Sequence, residues 1–420
     1  MNCEIVTIGT ELVLGFTVDT NGPAMARALT EAGLQVVRTG SVGDDAALLK
    51  ETLRLALERT GVVLCSGGLG PTEDDLTRPV AAELFHKKLV RQDALVQQLR
   101  QRFESRGIVP MPEANLVQAD VPEGATVIPN PLGSAPGLWI EDGARLMVLM
   151  PGVPKEMQRM LHEEVMPRLQ GRSGDQAIGR SVIRSRTLRT TGIGESALAD
   201  RVGDLRSIVS DKVTLAWIPS LEGTDLRLTA WNVPAAEADE LLGRATGALR
   251  PKLGHHLYAE GDEDLAAIVL KQLGREQARV SVAESCTGGL LGQRLTAVPG
   301  CSSNFFGGVI CYDKDLKMDF LGVSAESIAQ HGVVSEQVAR EMAEGAARVM
   351  RTEAAISVTG VAGPDRNEGD PQVGTVWIGI RWRDQTRAFQ HVFPGDRDDV
   401  RGRAAQWSLD YLRRVMSGTA

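Results

Sequence analysis

The chain has 420 residues, a formal net charge of −8 and an aromatic content of 4%. This length exceeds what one hydrophobic core usually holds, so we expect two or three domains. The acidic balance and the few aromatic rings argue against direct nucleic-acid binding, which needs basic surfaces or stacking platforms. The N-terminus lacks a signal-peptide pattern and no apolar run reaches about 18 residues, which predicts a cytoplasmic protein without membrane contact.

The first segment alternates short apolar strands with amphipathic helices. Strands are predicted over 3–8, 35–42, 62–65 and 145–150, and helices begin near 21, 45 and 154. Continuous apolar strands separated by such helices are typical of a parallel sheet that is covered on both faces. We therefore expect an α/β domain with three layers over residues 1–170.

Two polar, glycine-containing stretches interrupt this alternation, at 171–179 and 254–264. Between them, strands over 182–191 and 225–233 and a helix over 235–249 indicate a small α+β connector domain, residues 171–255. The pattern then returns over 256–420. It predicts helices over 265–273, 290–298 and 397–416, two helices within 324–351, and strands over 279–282, 354–358, 374–382 and 386–393.

A glycine-rich run follows the third strand of the first domain. Gly67, Gly68 and Gly70 permit close approach of a ligand, and Asp74, Asp75 and Thr77 follow them. The two aspartates are hard oxygen ligands suited to a divalent cation. An ordinary turn with an aspartate cap explains the spacing equally well. Further candidate site residues lie in other connections of this domain: Glu11, Asp44 and Asn130.

These motifs resemble the molybdopterin-binding domain of the competence/damage-inducible CinA proteins. The resemblance also includes Gly9 to Leu12, Met111 to Asn115 and Pro151 to Pro154. It implies the MoaB/MogA fold of the molybdopterin adenylyltransferases and a metal-dependent ADP-ribose pyrophosphatase activity. Asp44 and Asp75 match the positions of aspartates that are important in those adenylyltransferases, and we expect them to hold the divalent metal ion.

A second cluster of small and hydroxyl residues lies where the strand near 280 turns into a helix. It comprises Ser285, Cys286, Thr287, Gly288 and Gly289. Such a turn, with its glycines and the free N–H groups of a helix start, is suited to a phosphate. Four further side chains complete the candidate set: Ser302, Tyr312, Lys317 and, at the start of the last helix, Arg397.

This cluster, with Gly300 to Ser303, Tyr312 to Lys317, Thr359 to Asp365 and Gly395 to Arg397, resembles the C-terminal domain of the same family. The resemblance implies an α/β nicotinamide-nucleotide amidase. That enzyme converts nicotinamide mononucleotide and water to nicotinate mononucleotide and ammonia, with no cofactor. The family resemblance also implies that the protein is a homodimer.

The resemblance places Ser302, Tyr312 and Lys317 on the catalytic serine, tyrosine and lysine of the amidases. A serine hydroxyl needs a base, and Lys317 acts as one only if burial lowers its pKa. Whether Tyr312 or Lys317 is the immediate base stays open, and Cys286 is a rival nucleophile. Candidate substrate-binding residues are Ser285, Cys286, Thr287, Gly288, Gly289, Thr359, Gly360 and Arg397. Among them, the Thr287 to Gly289 turn, Thr359 with Gly360, and Arg397 are candidates to hold the phosphate.

Two less specific interpretations remain. Ser302 and Ser303 are also suited to capping a helix, and Arg397 to an ion pair with Asp398 or Asp399. At the level of the whole chain, the alternative to an enzyme is a regulatory or partner-binding protein of competence or DNA damage. Its first domain would then bind a pterin or nucleotide without catalysis.

Overall fold

The computed structural model describes residues 2–172, 182–206 and 208–420. The predicted break at 171–179 therefore lies mostly outside the described residues. The chain divides into two compact units. Unit 1 comprises Met1–Arg184 and Ala230–Asp239, and unit 2 comprises Ser185–Thr229 and Glu240–Ala420.

Unit 1 is built on a six-stranded sheet in the order β2-β1-β3-β8-β7-β6, with a separate β4-β5 ribbon. Strands β2, β1, β3 and β8 are parallel, whereas β7 and β6 add an antiparallel edge. The strands are β1 (Asn2–Ile8), β2 (Gln35–Val42), β3 (Val62–Ser66), β4 (Leu89–Arg91), β5 (Asp120–Pro122), β6 (Thr126–Ile128), β7 (Gly137–Asp142) and β8 (Arg145–Met150).

Helices cover both faces of this sheet. Along β3, Val63 and Cys65 pack into one hydrophobic cluster, whereas Val62 and Leu64 pack into the other. This alternation is the two-residue period of a strand buried on both sides, so the predicted three-layer architecture is confirmed. The helices are α1 (Thr10–Val13), α2 (Asn21–Glu31), α3 (Ala46–Thr60), α4 (Thr77–Leu84), α5 (Asp93–Ser105), α6 (Pro154–Met160) and α7 (Met166–Arg172), with a π-helical turn at Leu161–Val165.

The middle of the chain carries a four-stranded sheet in the order β10-β11-β9-β12. Its elements are β9 (Val182–Thr190), α8 (Glu195–Val202), β10 (Val213–Pro219), β11 (Thr224–Val233), α9 (Ala235–Leu253) and β12 (Leu257–Glu260). Gly194 is the N-cap of α8, and no side chain caps this helix.

The C-terminal part is a five-stranded sheet in the order β14-β13-β15-β16-β17. Strands β14, β13 and β15 are parallel, and β16 and β17 are antiparallel. The elements are α10 (Leu265–Arg275), β13 (Val280–Glu284), α11 (Leu290–Thr296), β14 (Phe305–Ile310), α12 (Lys314–Leu321), α13 (Ala325–His331), α14 (Glu336–Met350), β15 (Ala354–Gly360), β16 (Thr375–Trp382), β17 (Gln385–Val392) and α15 (Arg397–Met416).

Two clusters again separate the faces of this sheet. Val282 belongs to the cluster that contains residues of α10, α11 and α15, whereas Ala283 belongs to the cluster beneath α12 and α14. Strand β13 pairs with β14 along one edge and with β15 along the other, so the strand order reverses direction at β13. In open α/β sheets the crevice beyond the carboxyl end of such a strand is where ligands bind.

Candidate active site

The turn after β13 is held by a carboxylate of the strand itself. Glu284 is 1% exposed. Its Oε2 accepts from the N–H groups of Gly289 and Leu291, both at 3.0 Å, and its Oε1 accepts from Gly292 N–H at 2.8 Å. These donors belong to the first turn of α11, where unpaired N–H groups attract negative charge. The chain therefore supplies its own anion at this helix start.

This arrangement corrects one prediction. The glycine turn was expected to hold the substrate phosphate, but its helix donors are taken by Glu284. Gly288 and Gly289 instead have φ angles of 59° and 97°, which glycine adopts at little cost. Thr287 is fully buried, and its carbonyl accepts from Arg401. None of these three lines the cavity beside the turn, so their role is to shape the turn.

The serine of this turn meets a buried lysine. Lys317 on α12 is 2% exposed. Its Nζ lies 3.2 Å from Ser285 Oγ, 2.7 Å from the Cys311 carbonyl oxygen and 3.0 Å from that of Tyr312. Burial lowers the pKa of Lys317, because desolvation disfavours the ammonium form. A neutral amine can donate its two hydrogens to the carbonyls and accept the Ser285 proton with its lone pair.

A cavity of about 430 Å³ opens beside this pair, and several predicted residues line it: Ser285, Cys286, Tyr312, Lys317, Thr359, Gly360 and Arg397. Tyr312 is 61% exposed, and its hydroxyl accepts from Arg397 Nη2 at 3.2 Å. Arg397 Nη1 donates to the Gly363 carbonyl at 2.6 Å. The alternative pairing of Arg397 with Asp398 or Asp399 does not occur among the described residues.

Ser302 does not join this group. It lies on an exposed 3₁₀ turn, Cys301–Ser303, immediately before β14. Strand β14 runs parallel to β13, with Phe305 beside Val280 and Ile310 beside Glu284. Ser302 is therefore at the opposite end of the sheet from Ser285, about 16 Å away along a five-residue strand. The prediction of Ser302 as the partner of Lys317 is wrong in this chain, and Ser285 takes that place.

The rival nucleophile is adjacent but protonated. Cys286 is 4% exposed and lines the cavity. Burial raises the pKa of its thiol to about 12, although the nearby Lys317 acts in the opposite direction. The thiolate is the nucleophilic form of cysteine, and it is scarce when the pKa is this high. All five cysteines, Cys3, Cys65, Cys286, Cys301 and Cys311, are free thiols.

A second cavity, of about 400 Å³, lies in unit 1 where β1, β2, β3 and β8 end. The structure brings most of the predicted N-terminal site together there. Gly67 has a φ of 116°, and a Cβ on it would meet the Ile8 carbonyl oxygen, so only glycine fits. Predicted residues that line the cavity are Glu11, Asp44, Gly67, Gly68, Gly70, Asp74 and Asp75.

Thr77 and Asn130 do not line this cavity. Thr77 is fully buried, and its Oγ1 donates to the Gly67 carbonyl at 2.9 Å, which fixes the glycine loop on α4. Asn130 Nδ2 donates to Glu156 Oε2 at 2.7 Å, and Glu156 does line the cavity. Thr77 and Asn130 therefore position residues of the cavity wall without lining the cavity themselves.

The two predicted metal ligands are engaged by neighbouring donors. Asp44 Oδ2 accepts from the N–H and Oγ1 of Thr10, at 2.7 and 2.9 Å. Asp75 accepts from Gly70 N–H at 2.7 Å and from Thr72 N–H at 2.8 Å. In the described part of the chain, no three His, Cys, Asp or Glu side chains converge as a metal site. A magnesium ion that arrives with a diphosphate needs only one or two protein carboxylates, so these two aspartates fit that limited role.

Comparison with known proteins covers the whole chain. Residues 4–171 match the family described as "Probable molybdopterin binding domain", residues 185–259 match "Damage-inducible protein CinA KH domain", and residues 262–416 match "CinA C-terminal domain". A CinA-like protein of Gemmatimonas aurantiaca is 47% identical over 421 residues, which cover 100% of this chain and 97% of the relative. The chain belongs to the CinA family. A CinA-like protein of Dictyoglomus thermophilum is 39% identical and covers 99% of both chains.

A solved structure of a competence damage-inducible protein from Klebsiella pneumoniae is also similar. It is 35% identical, covers 36% of this chain and 95% of its own, and has a TM-score of 0.36. As a CinA protein, the chain combines a molybdopterin-binding-like domain and the CinA C-terminal domain, as the sequence motifs indicate, and the small α+β connector between them matches a KH domain. None of the helices in the described ranges is long and apolar enough to cross a bilayer.

Proposed function

We propose that the C-terminal part of this CinA protein is an amidase that hydrolyses nicotinamide mononucleotide to nicotinate mononucleotide and ammonia. The observation that carries the proposal is the buried Lys317 amine, 3.2 Å from Ser285 Oγ at the wall of a cavity. A serine paired with a lysine of lowered pKa is a recognised way to activate a hydroxyl for acyl transfer.

The residues of the cavity supply each step of such a reaction. Ser285 Oγ attacks the amide carbon while Lys317 accepts its proton. The protonated Lys317 then gives that proton to the departing ammonia, and a water molecule hydrolyses the acyl-serine by the same route. Because Tyr312 accepts from Arg397, its own O–H is free to donate to the developing oxyanion or to the leaving nitrogen.

The test is ammonia release from nicotinamide mononucleotide by the purified full-length chain. Ser285→Ala is expected to lower kcat at least about a thousandfold, as loss of a nucleophile does. Ser302→Ala is the matched control and is expected to stay near wild type, since that serine lies at the other end of the sheet. Full activity of Ser285→Ala would overturn the mechanism. No ammonia from the wild-type chain would favour the regulatory or partner-binding alternative.

For the first domain we propose a metal-dependent hydrolysis of ADP-ribose. Carboxylates but no lysine or arginine occur among the described residues that line the unit 1 cavity: Glu11, Asp44, Asp74, Asp75 and Glu156. A diphosphate would be repelled from such a wall unless a cation came with it, which supports metal dependence. A divalent ion supplies charge neutralisation on the phosphate oxygens, and Asp44 and Asp75 are the residues that would hold it.

This second activity is tested by AMP release from ADP-ribose with added Mg²⁺ and again with excess chelator. We expect release only with the metal, whereas ammonia release from nicotinamide mononucleotide continues in chelator. Equal AMP release under both conditions would contradict metal dependence. No release under either would leave the domain as a pterin- or nucleotide-binding module.

A further inference from the structure

Two cations at the rim of the amidase cavity, Lys314 and Arg366, are not used by the proposed reaction. We propose that they bind the substrate phosphate and so select phosphorylated amides; this inference rests on the proposed amidase function. Within the described residues, the Lys314 ammonium makes no hydrogen bond or ion pair. Arg366 makes one bond, from Nη1 to the Asp370 carbonyl at 3.3 Å.

The alternative phosphate site, at the start of α11, is closed by the chain itself. A helix N-terminus beside a nucleophile is a usual place for a phosphate. Here the N–H groups of Gly289, Leu291 and Gly292 all point to Glu284. A phosphate approaching this turn would meet a carboxylate that is already paired, so it must bind elsewhere in the cavity.

Lys317 and Arg397, the other basic side chains of the lining, are already held by neighbouring groups. Lys317 Nζ is held by Ser285 and by two carbonyl oxygens at the base of the cavity. Arg397 is held between the Gly363 carbonyl and the Tyr312 hydroxyl. These contacts fix both side chains next to the reacting amide, although Arg397 keeps further N–H donors. Lys314 and Arg366 are the cations of the lining that are not held at the reacting centre.

The rim lies on the same side of α12 as the reacting lysine. Lys314 and Lys317 are three residues apart on α12, so they share one face of the helix. Lys317 is buried at the base of the cavity, and Lys314 is exposed at its mouth. A mononucleotide carries its amide and its phosphate at opposite ends. With the amide at Ser285, the phosphate therefore extends toward the rim.

The charges of the lining permit an anion there. With Lys317 neutral, three cations balance three carboxylates in the lining: Lys314, Arg366 and Arg397 against Asp313, Asp365 and Asp370. The Asp313 carboxylate accepts from Asp315 N–H, and that of Asp370 accepts from Asn367 N–H and Nδ2. An ammonium and a guanidinium together give a phosphate dianion several charge-assisted hydrogen bonds.

The test measures binding of ribose 5-phosphate to the full-length chain by calorimetry, with ribose as the unphosphorylated probe. We expect ribose 5-phosphate to bind and ribose not to bind. Lys314→Met and Arg366→Met should each raise the Kd for ribose 5-phosphate about tenfold, the usual effect of one lost charge-assisted bond. The matched controls are Lys271→Met and Arg383→Met, surface cations paired with Glu263 and Glu276 outside the cavity.

A second measurement separates this inference from the proposed reaction. It is the ratio of kcat/KM for nicotinamide mononucleotide to that for nicotinamide riboside, which we expect to fall about tenfold in each rim variant. If the wild type hydrolyses neither compound but Lys314-dependent binding of ribose 5-phosphate persists, the amidase proposal fails and the phosphate site stands. If binding and ratio are both unchanged in folded rim variants, the phosphate site is refuted.

Discussion

The Nζ atom of Lys317 lies 3.2 Å from the Oγ atom of Ser285, although 32 residues separate them in the chain. Serine comes from the carboxyl end of β13, and lysine from the helix that follows the edge strand β14. Parallel pairing of these strands is what brings their carboxyl ends, and hence the two side chains, to one edge. The relationship makes Lys317 the natural subject of a pH experiment.

The first prediction is that amide hydrolysis rises with pH through the lowered pKa of Lys317. Only the neutral amine accepts the Ser285 proton, so kcat/KM should increase with pH and then level off. The midpoint of this rise should lie at a pH below 10.5, the pKa of an ordinary lysine. Steady-state rates from pH 6 to pH 10 give the midpoint. A flat profile in the wild type would show that a proton on Lys317 is irrelevant to the reaction.

The lowered pKa of Lys317 also makes the stability of the fold depend on pH. The unfolded chain holds a proton on Lys317 over a pH range in which the folded chain does not, so the unfolded state binds more protons. The free energy of unfolding should therefore rise with pH in this range, up to the ordinary lysine pKa. Lys317→Met removes this contribution. Denaturant titrations at several pH values should show a shallower rise in the variant than in the wild type.

A second prediction concerns the two thiols of the C-terminal motifs. Burial and a pKa of about 12 keep Cys286 protonated, whereas Cys301 is partly exposed. Iodoacetamide at pH 7.5 should alkylate Cys301 and leave Cys286 unmodified until the protein is unfolded. Peptide mass spectrometry measures both sites. Rapid labelling of native Cys286 with parallel loss of amidase activity would revive it as the nucleophile.

A third prediction tests the carboxylate that shapes the nucleophile turn. In Glu284→Gln, an amide nitrogen replaces one carboxylate oxygen. That nitrogen is a donor and faces a backbone N–H donor of α11, so at least one hydrogen bond to the turn is lost. We expect kcat to fall about tenfold or more, with little change in KM. The control is Glu353→Gln, whose carboxylate accepts from Arg279 N–H at the opposite end of β13. Equal losses in both variants would reduce Glu284 to a general stabilising role.

A fourth prediction concerns the glycine loop of unit 1. Asp75 braces this loop through Gly70 and Thr72, so Asp75→Ala should free these amides. Hydrogen exchange at both should accelerate about tenfold or more, since a lost bond to a charged acceptor costs about 1.5–3 kcal/mol. Glu73→Ala alters an exposed neighbour and should leave exchange unchanged. Unaltered protection in Asp75→Ala would contradict the brace.

A fifth prediction uses two helical glycines. A Cβ on Gly345 of α14 would meet the Leu321 carbonyl oxygen of α12, the helix that carries Lys317. Gly345→Ala should therefore cost about 1–3 kcal/mol and lower amidase activity by shifting α12. Gly243 of α9 has open space around it, so Gly243→Ala should be neutral or stabilising by up to about 1 kcal/mol. Thermal unfolding and kcat compare the pair.

Sequence patterns predicted most long elements and the three-layer architecture because these elements carry strong hydrophobic periodicity. The strand that matters most for the site escaped them. Phe305–Ile310 contains two adjacent glycines and alternates half-buried with exposed residues, so it lacks the apolar run of a buried strand. In the sequence, Ser302 is only 10 residues from Tyr312 and 15 from Lys317, but β14 carries the chain along the length of the sheet between them.

The contacts of Glu284 were also beyond sequence reasoning. A glutamate at the end of an apolar strand looks like the first solvent-exposed residue, and nothing in its neighbours indicates which amides it accepts from. By contrast, Asp45 was predictable as a helix cap because its acceptor role depends only on local spacing. Long-range partners such as Ser285 and Lys317 require the strand order, which a single sequence does not provide.

The internal carboxylate at the start of α11 has one further consequence. Because Glu284 belongs to the chain, the turn that presents Ser285 is already in its working shape before a substrate arrives. Binding then spends no conformational entropy on ordering the nucleophile. The Ser285 hydroxyl is therefore preorganised for the incoming amide.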